Sequence, residues 1–507
     1  MTEIQPEAHT IVERELKFLL RTGAMSRLAR IPLLVGRRPT THQMEATYFD
    51  TADGELREAG YSLRLRRTGG RTIQTLKGGS GSGAALFARS ETEAELTGDV
   101  PMPALLRGAL PEELLLRVED RLAPMFRVRV QRQEWQLPRY GATLMVQVDT
   151  GHVETGARRD EIRELEIELI DGPLAALFEV AREIAATVPL QLGIISKSER
   201  GFRLLAGTAA NAVRAEPPAI RRDMPTGDAF RTLAGQAIRH FAENAARFDP
   251  NGGAEVVHQM RVALRRLRSL ISLERRLFIP EERATLTREI ARTFRRLGKA
   301  RDLDLLLETV ADLEEGDHRD ALMRAVSADR QASYAGIGTL LGSKRLRIAL
   351  IDLLAHIEDG PWITAEAIRQ KRWRERPVPD TAADILGGQW KKLDGFGRPS
   401  SLDVTTRHEL RIRAKRFRYA CDFFGALYEG AKAERRRTKI LSTVETLQDA
   451  LGELNDRASM GELLRQRFPD DPQIAALLDR TQEDEKPVLK EADAAFRKLL
   501  SRKPFWE

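Results

Sequence analysis

Glu13, Glu15 and Lys17 occupy alternate positions in Val12-Glu13-Arg14-Glu15-Leu16-Lys17-Phe18. Successive side chains of a strand point to opposite sides, so this spacing puts all three on one face. The same alternation aligns Arg64 with Arg66, Thr75 with Lys77, Arg89 with Glu91 and Glu93, Arg127 with Arg129, and Glu164 with Glu166 and Glu168. Charge on the wet face of a half-buried antiparallel strand is ordinary. Segregation by sign is less so, and here several charged faces are Glu-only or Arg-only. Like charges about 7 Å apart along a strand repel, so something of opposite sign belongs between them. Hard divalent cations suit the glutamates, because they bind carboxylate oxygens. A polyanion suits the basic set, since arginine offers a planar fork for phosphate and lysine a compact point charge.

A second pattern lies further along. His258, Arg261, Arg265, Arg266 and Arg268 recur in type and spacing as His408, Arg411, Lys415, Arg416 and Arg418. On a helix, positions 0, 3, 7 and 10 fall within an arc of roughly 80°. His258, Arg261, Arg265 and Arg268 therefore share one face, and so do His408, Arg411, Lys415 and Arg418. Salt bridges to facing acidic helices would explain such a face; a three-cation face in duplicate favours an anion groove instead. Downstream of each copy comes a matching signature, Leu297-Gly298-Lys299-Ala300-Arg301-Asp302 and Leu451-Gly452-Glu453-Leu454-Asn455-Asp456. Two copies in the same order indicate a duplicated helical unit.

The elements needed to position these residues divide the chain in two. Short alternating segments predict strands at Val12–Phe18, Ser62–Arg67, Arg71–Lys77, Ala88–Leu96, Phe126–Trp135, Ala142–Asp149 and Arg163–Ile170, with a helix at Leu174–Val188. The Ala- and Pro-bearing run from Ala206 to Pro225 reads as a linker. Beyond it, Ala, Leu and Arg at helical spacing predict an all-α half. The 507 residues suffice for two or three domains, and 42% hydrophobic with 31% charged residues is ordinary globular composition. The 82 Lys+Arg against 75 Asp+Glu leave +7, a mild excess that hints at an anionic partner without choosing one. Cys421 is the single cysteine, which excludes an internal disulfide or a Cys-rich zinc site and points to a reducing, cytoplasmic compartment. No apolar run is long enough to span a bilayer. The Gly78–Gly83 run lacks the Gly-Lys-[Ser/Thr] ending of a P-loop and reads as a hairpin connection. His9, His42 and His152 have no ligand-spaced partners.

The ordered series Glu13-x-Glu15-x-Lys17, Tyr48-Phe49-Asp50-Thr51, Leu63-Arg64-Leu65-Arg66, Thr75-Leu76-Lys77, Arg89/Glu91/Glu93, Arg127/Arg129, Asp149, Glu164/Glu166/Glu168 and Ser196-Lys197-Ser198-Glu199-Arg200 resembles the CYTH superfamily of triphosphate tunnel metalloenzymes. The resemblance covers about residues 8–205. It implies an α+β multidomain protein whose N-terminal part is an eight-stranded antiparallel β-barrel, a tunnel, with flanking helices. Glu13, Glu15, Asp149, Glu164, Glu166 and Glu168 become metal candidates for Mg²⁺ or Mn²⁺, with the choice among the last three left open. Lys17, Arg64, Arg66, Lys77, Arg89, Arg127, Arg129, Lys197 and Arg200 become substrate-binding candidates. Lys17, Glu13 and Glu15 carry the expected catalysis. The implied activity is metal-assisted hydrolysis of inorganic triphosphate to pyrophosphate and phosphate. The duplicated basic helices resemble the CHAD domain. That resemblance implies a helical-bundle pair binding inorganic polyphosphate through His258, Arg261, Arg265, Arg268, His408, Arg411, Lys415 and Arg418, with association to polyphosphate granules. The expected plan is 1–206 for the tunnel domain, 207–225 for the linker and 226–507 for the helical domain, with repeats at about 226–375 and 376–507.

Three rival readings stand beside this one. The tunnel could act on another triphosphate, thiamine triphosphate or ATP cyclised to cyclic AMP, although no aromatic-rich nucleoside pocket is evident. The chain could be a non-catalytic polyphosphate scaffold, although pure anion binding does not call for five or six inward carboxylates. Nucleic-acid binding fits poorly, given the mild net charge and the lack of a recognisable module.

Overall fold

A computed structural model describes residues 9–78, 86–208, 211–311, 315–467, 474 and 485–507. Their contacts divide the chain into two compact units. The first holds Met1–Ala215, Gly235–Ala263 and Tyr334–Pro361; the second holds Glu216–Ala234, Leu264–Ser333 and Trp362–Glu507.

The first unit is built on nine antiparallel strands: β1 (His9–Leu20), β2 (Thr40–Asp50), β3 (Ser62–Thr68), β4 (Arg71–Gly78), β5 (Leu86–Leu96), β6 (Ala123–Arg139), β7 (Ala142–Thr155), β8 (Arg158–Asp171) and β9 (Leu190–Gly193). Their order is β5-β4-β3-β2-β6-β7-β8-β1-β9, and β5 also pairs with β1. The run from β5 to β1 thus returns on itself, while β9 lies beyond that ring. The expected eight strands are therefore nine, and the sheet as a whole is not a plain closed cylinder. Long β1 makes this possible by changing partners: His9–Leu16 pairs with β5, Glu15–Leu19 with β8 and Lys17–Leu20 with β9. Between β6 and β7 the turn is two residues, Tyr140 at φ 52° and Gly141 at φ 71°. That is the left-handed pair whose twist matches a tight hairpin, and Gly meets it without a Cβ penalty. The glycine-rich connection expected at Gly78–Gly83 lies outside the described residues from position 79 onward.

Small helices cover this sheet: α1 (Ala24–Leu28), α2 (Glu55–Glu58), α3 (Glu112–Val118), α4 (Leu174–Ala185) and α5 (Lys197–Ala206). Leu63, Leu65 and Leu76 face outward and bury against Leu56 of α2 and Leu114, Leu115 and Val118 of α3. Their neighbours Arg64, Arg66, Thr75 and Lys77 are thereby forced to the other face. On β6 the alternation puts Phe126, Val128 and Val130 in a buried cluster with Tyr48, Val153, Ile162 and Phe202 of α5. Arg132 and Glu134 continue that same face, so an apolar floor adjoins a polar interior.

The remainder is helical: α6 (Thr226–Ala246), α7 (Ala254–Leu273), α8 (Pro280–Ala311), α9 (Asp317–Leu341), α10 (Lys344–Asp359), α11 (Pro361–Thr364), α12 (Ile368–Glu375), α13 (Val378–Asp394), α14 (Val404–Phe424), α15 (Ala431–Arg467) and a last helix, Glu485–Leu500. The sequence repeat corresponds to a repeat of elements. The helices α7 and α14 each end in a 3₁₀ turn, Arg275–Leu277 and Gly425–Leu427, followed by the long helices α8 and α15. No helix among the described residues is long and apolar enough to cross a membrane.

Candidate active site

The inward faces of the strands enclose a cavity of about 540 Å³. Its walls carry Glu13, Glu15 and Lys17 of β1, Arg64 and Arg66 of β3, Lys77 of β4, and Glu91 and Glu93 of β5. Arg132, Glu134, Gln147, Glu166 and Glu168 from β6, β7 and β8 complete the ring, with Lys197 entering from the start of α5. The alternation read from the sequence therefore holds on β1, β3, β4, β5 and β8.

Two ion-pair centres organise the charge. At the first, Glu166 takes Lys17 Nζ at 2.8 Å, Lys197 Nζ at 2.7 Å and Arg132 Nη2 at 2.7 Å. Asp149, on neighbouring β7, joins it through Arg132 at 2.6 Å and Lys197 at 2.7 Å. Glu164 is fully buried and receives Arg200 Nη2 at 3.1 Å. Burial alone would push the Asp149 and Glu166 carboxyls up, but the surrounding cations win. Asp149 is held below the usual range, mainly by Lys197 and Arg132, and Glu166 well below it, mainly by Lys17 and Lys197. The ammonium groups respond in kind: Lys17 and Lys197 rise despite burial, against the nearby carboxylates. At the second centre Lys77 Nζ lies 2.6 Å from Glu13 and 3.0 Å from Glu91. Arg64 and Arg66 reach Glu91 and Glu93 at 3.4 and 3.1 Å.

Between the two centres stand Glu15 and Glu168, directly opposite one another across β1 and β8. Burial pushes both carboxyls up to about 7; Glu166 adds to the rise at Glu15, and Glu13 does so at Glu168. At both groups burial and neighbouring carboxylates outweigh the pull of nearby cations, Lys77 among them. Among the described residues no three His, Cys, Asp or Glu side chains are grouped closely enough to hold a metal ion as placed. The donor set around Glu15 and Glu168 consists of carboxylate oxygens, the chemistry that hard divalent cations take.

Three substrate-binding expectations change. Arg127 and Arg129 are exposed, and Arg129 is spent on Glu45 at 3.1 Å and Glu154 at 2.8 Å. They occupy the outer face of β6 because Phe126, Val128 and Val130 take the inner one. Arg132 does the inward work instead and was not expected. The phase it shares with Phe126, Val128 and Val130 is the signal that would have found it. Arg200 stands behind the cavity wall, bonding Asp160 at 2.8 Å and the Glu161 carbonyl at 3.1 Å as well as Glu164. The side chain of Arg89 lies outside the described residues, although its backbone pairs with Glu13. His42, set aside on sequence grounds, lines the cavity 3.4 Å from Glu134. Asp50 serves the fold, since its carboxylate accepts from the Leu56 and Arg57 amides and so caps α2.

The duplicated basic faces lie on α7 and α14. Arg411 pairs with Asp456 at 3.4 Å, and His408 Nδ1 lies 2.7 Å from Asn455 Oδ1. In the second copy the downstream signature thus serves the upstream histidine and arginine. Arg265 stacks over Tyr419 at 5.8 Å, and Arg268 over Phe294 at 5.2 Å. Burial, and then the approach of Arg265, lower the Arg411 pKa despite Asp456. The cations are not wholly uncompensated, since Arg418 reaches Glu445 at 3.4 Å and Asp422 at 3.9 Å. His258, Arg261 and Lys415 are half-buried along the same helices.

Comparison with known proteins fits these observations. The CYTH domain model matches residues 12–202 and the CHAD domain model residues 232–465. An uncharacterized protein of Mycobacterium tuberculosis is 25% identical over 544 aligned residues, covering 97% of this chain and 98% of that one. The inorganic triphosphatase of Haemophilus influenzae is 28% identical over 159 residues, 31% of this chain and 45% of that one. Among solved structures, the CHAD domain from the plant Ricinus communis aligns at 25% identity and a TM-score of 0.45, covering 58% of this chain and 99% of that one. The chain joins a CYTH domain to a CHAD domain.

Proposed function

We propose that the tunnel hydrolyses inorganic triphosphate to pyrophosphate and phosphate in a reaction that depends on a divalent cation. One observation carries this reading. Lys17, Arg64, Arg66, Lys77, Arg132 and Lys197 line the same cavity as Glu15 and Glu168, whose carboxyls stay raised because burial and neighbouring carboxylates outweigh the pull of nearby cations among the described residues. A short phosphate oligomer satisfies the cations, and a metal ion satisfies the carboxylates. The inorganic triphosphatase relative and the CYTH match over residues 12–202 support the same reaction class.

Phosphoryl transfer asks an enzyme mainly for positioning and charge neutralisation. Arg64 and Arg66, two residues apart on β3, present guanidinium groups to non-bridging oxygens from one wall. Lys17, Lys197 and Arg132 converge from three other elements, and Lys77 from a fourth. Entry of substrate exchanges their contacts with Glu13, Glu91, Glu93 and Glu166 for contacts with phosphate. Glu13, Glu15 and Glu168 would hold Mg²⁺ or Mn²⁺, which when bound neutralises phosphate oxygens and acidifies water. Among the described lining residues Tyr48 is the one Phe, Tyr or Trp, and it stacks on Phe126 at 4.8 Å rather than standing free for a base; the His42 imidazole lies 3.4 Å from Glu134. That favours inorganic triphosphate over thiamine triphosphate or ATP.

The helical domain is read as a polyphosphate-binding module, supported by the facing cations Arg265 and Arg411. Tethering on the polymer raises local substrate concentration without altering the tunnel. Its affinity should fall steeply with added salt, by the counterion argument established for nucleic acid.

The deciding experiment incubates the protein with tripolyphosphate, ATP and thiamine triphosphate, each with Mg²⁺, Mn²⁺ or EDTA. Tripolyphosphate turnover abolished by EDTA supports the enzyme. Absence of turnover with every substrate and metal leaves a scaffold.

A further inference from the structure

Helix α5 faces two ways. Lys197, at its start, reaches into the cavity, whereas Glu199 and Arg203 point toward α6, which lies outside the residues matched as CYTH. On α6, Arg239 donates from Nη1 to the Ile194 carbonyl at 3.2 Å and from Nη2 to Glu199 at 2.5 Å. Ile194 precedes Lys197 by three residues and Glu199 follows it by two, so a single guanidinium brackets the segment that carries Lys197. Glu243, one turn further along α6 and almost fully buried, accepts from Arg239 Nε at 3.1 Å and from Arg203 Nη2 at 2.8 Å. The Ser196 hydroxyl caps α5 by accepting from the Glu199 amide at 3.1 Å. On the opposite side Gly201 lies so close to Phe126 that a Cβ there would meet the ring at 2.1 Å. The helix is thus pinned between the barrel and α6.

We infer that Arg239 is a positioning residue for the tunnel: by bridging the Ile194 carbonyl and Glu199 it fixes where Lys197 meets the substrate. This rests on the proposed triphosphatase reading, because Lys197 is assigned there to phosphate. The reason is geometric. A planar guanidinium can hold two acceptors at once in fixed directions, which an ammonium cannot reproduce. Loss of the bridge frees the segment without removing any group from the cavity.

The test uses the full-length protein with tripolyphosphate and Mg²⁺ or Mn²⁺, plus hydrogen–deuterium exchange without substrate. Arg239→Ala should raise KM for tripolyphosphate roughly tenfold with a smaller change in kcat, the scale of one lost charge-assisted hydrogen bond. Amides of residues 194–200 should exchange faster, and Arg239→Lys should recover the wild-type values only in part. In the Lys197→Ala background, Arg239→Ala should add little, because its effect passes through Lys197. If Arg239→Ala does not fold, Glu199→Gln, which keeps an acceptor but not the charge, should move KM and exchange in the same direction by less. Independent, multiplying effects of Arg239→Ala and Lys197→Ala, or unchanged exchange at 194–200, would overturn the inference. An inactive wild type would instead overturn the reaction assignment, and the exchange measurement would still decide whether Arg239 holds the segment.

Discussion

Glu15 and Glu168 are register partners across β1 and β8, both turned into the cavity and both with carboxyls pushed up to about 7. Like charges placed directly opposite in a sheet are destabilising, so this pair costs the metal-free fold something. Glu15→Gln should therefore stabilise the metal-free protein at pH 8 by on the order of 3 kcal/mol, the scale of its raised pKa. The same change should lower divalent-dependent turnover by roughly a hundredfold, as expected for loss of a metal ligand. Denaturant unfolding with EDTA, beside steady-state kinetics with Mg²⁺, checks both. Opposite signs for stability and activity are the signature of a charge kept for a ligand.

Proton release follows from the same two residues. Carboxyls titrating at about 7 are partly protonated at pH 6.5 and ionised at pH 8.5. A divalent cation binds the ionised form, so binding should expel protons at pH 6.5, expel far fewer at pH 8.5, and tighten as pH rises. Titration calorimetry in two buffers of different ionisation enthalpy measures the release. Equal enthalpies in both buffers at pH 6.5 would remove these groups from the metal site.

Arg132 and Arg129 should part company on mutation. Arg132 binds Asp149, Gln147 and Glu166 inside the wall, and its removal strands buried carboxylates. Arg132→Ala should destabilise the protein by about 3 kcal/mol or more and depress turnover severely. Arg129→Ala, on the outer face, should leave turnover within about twofold of wild type, as surface charges generally do. Thermal melts and tripolyphosphate kinetics on the two variants separate the faces.

Glu274 offers a pH test away from the tunnel. It is buried at the end of α7 with Trp373 Nε1 donating at 2.8 Å, and burial pushes its carboxyl up to about 7 while Trp373 and Arg276 oppose the rise. The native state keeps the proton that the unfolded chain gives up near pH 4.5. Stability from this group is therefore complete below pH 4.5 and lost as pH climbs to about 7, by on the order of 3 kcal/mol. Four of the five tryptophans lie beyond residue 360, so their fluorescence follows this half of the chain through urea unfolding. Glu274→Gln should flatten the pH dependence between pH 5 and 7.5; identical slopes would show that Glu274 ionises normally.

What the sequence disclosed depended on how local each determinant is. Glu13, Glu15 and Lys17 were legible because β1 keeps an unbroken period of two. The helical repeat was legible because His258, Arg261 and Asp302 recur in type and order as His408, Arg411 and Asp456. The strand β2 passed unnoticed because His42, Glu45 and Thr47 show no sign segregation, and β9 because four residues between Pro189 and Ile194 carry no period. Arg127 and Arg129 turn outward, against the expectation, because the apolar phase of Phe126, Val128 and Val130 sets the inner face of β6. The reach of Lys197 to Asp149 joins positions far apart in the chain, and no local pattern encodes it.

The partner change within β1 also bears on assembly during synthesis. The strand is made before its partners: its N-terminal stretch must wait for Leu86–Glu93, and Lys17 for Glu166 and Gly193. Such distant pairings are slow to form, and an unpaired strand edge invites association with other chains meanwhile. A ribosome must therefore deliver the chain as far as Gly193 before Glu15 and Lys17 have all their strand partners, and until then this edge is one that a chaperone could shield.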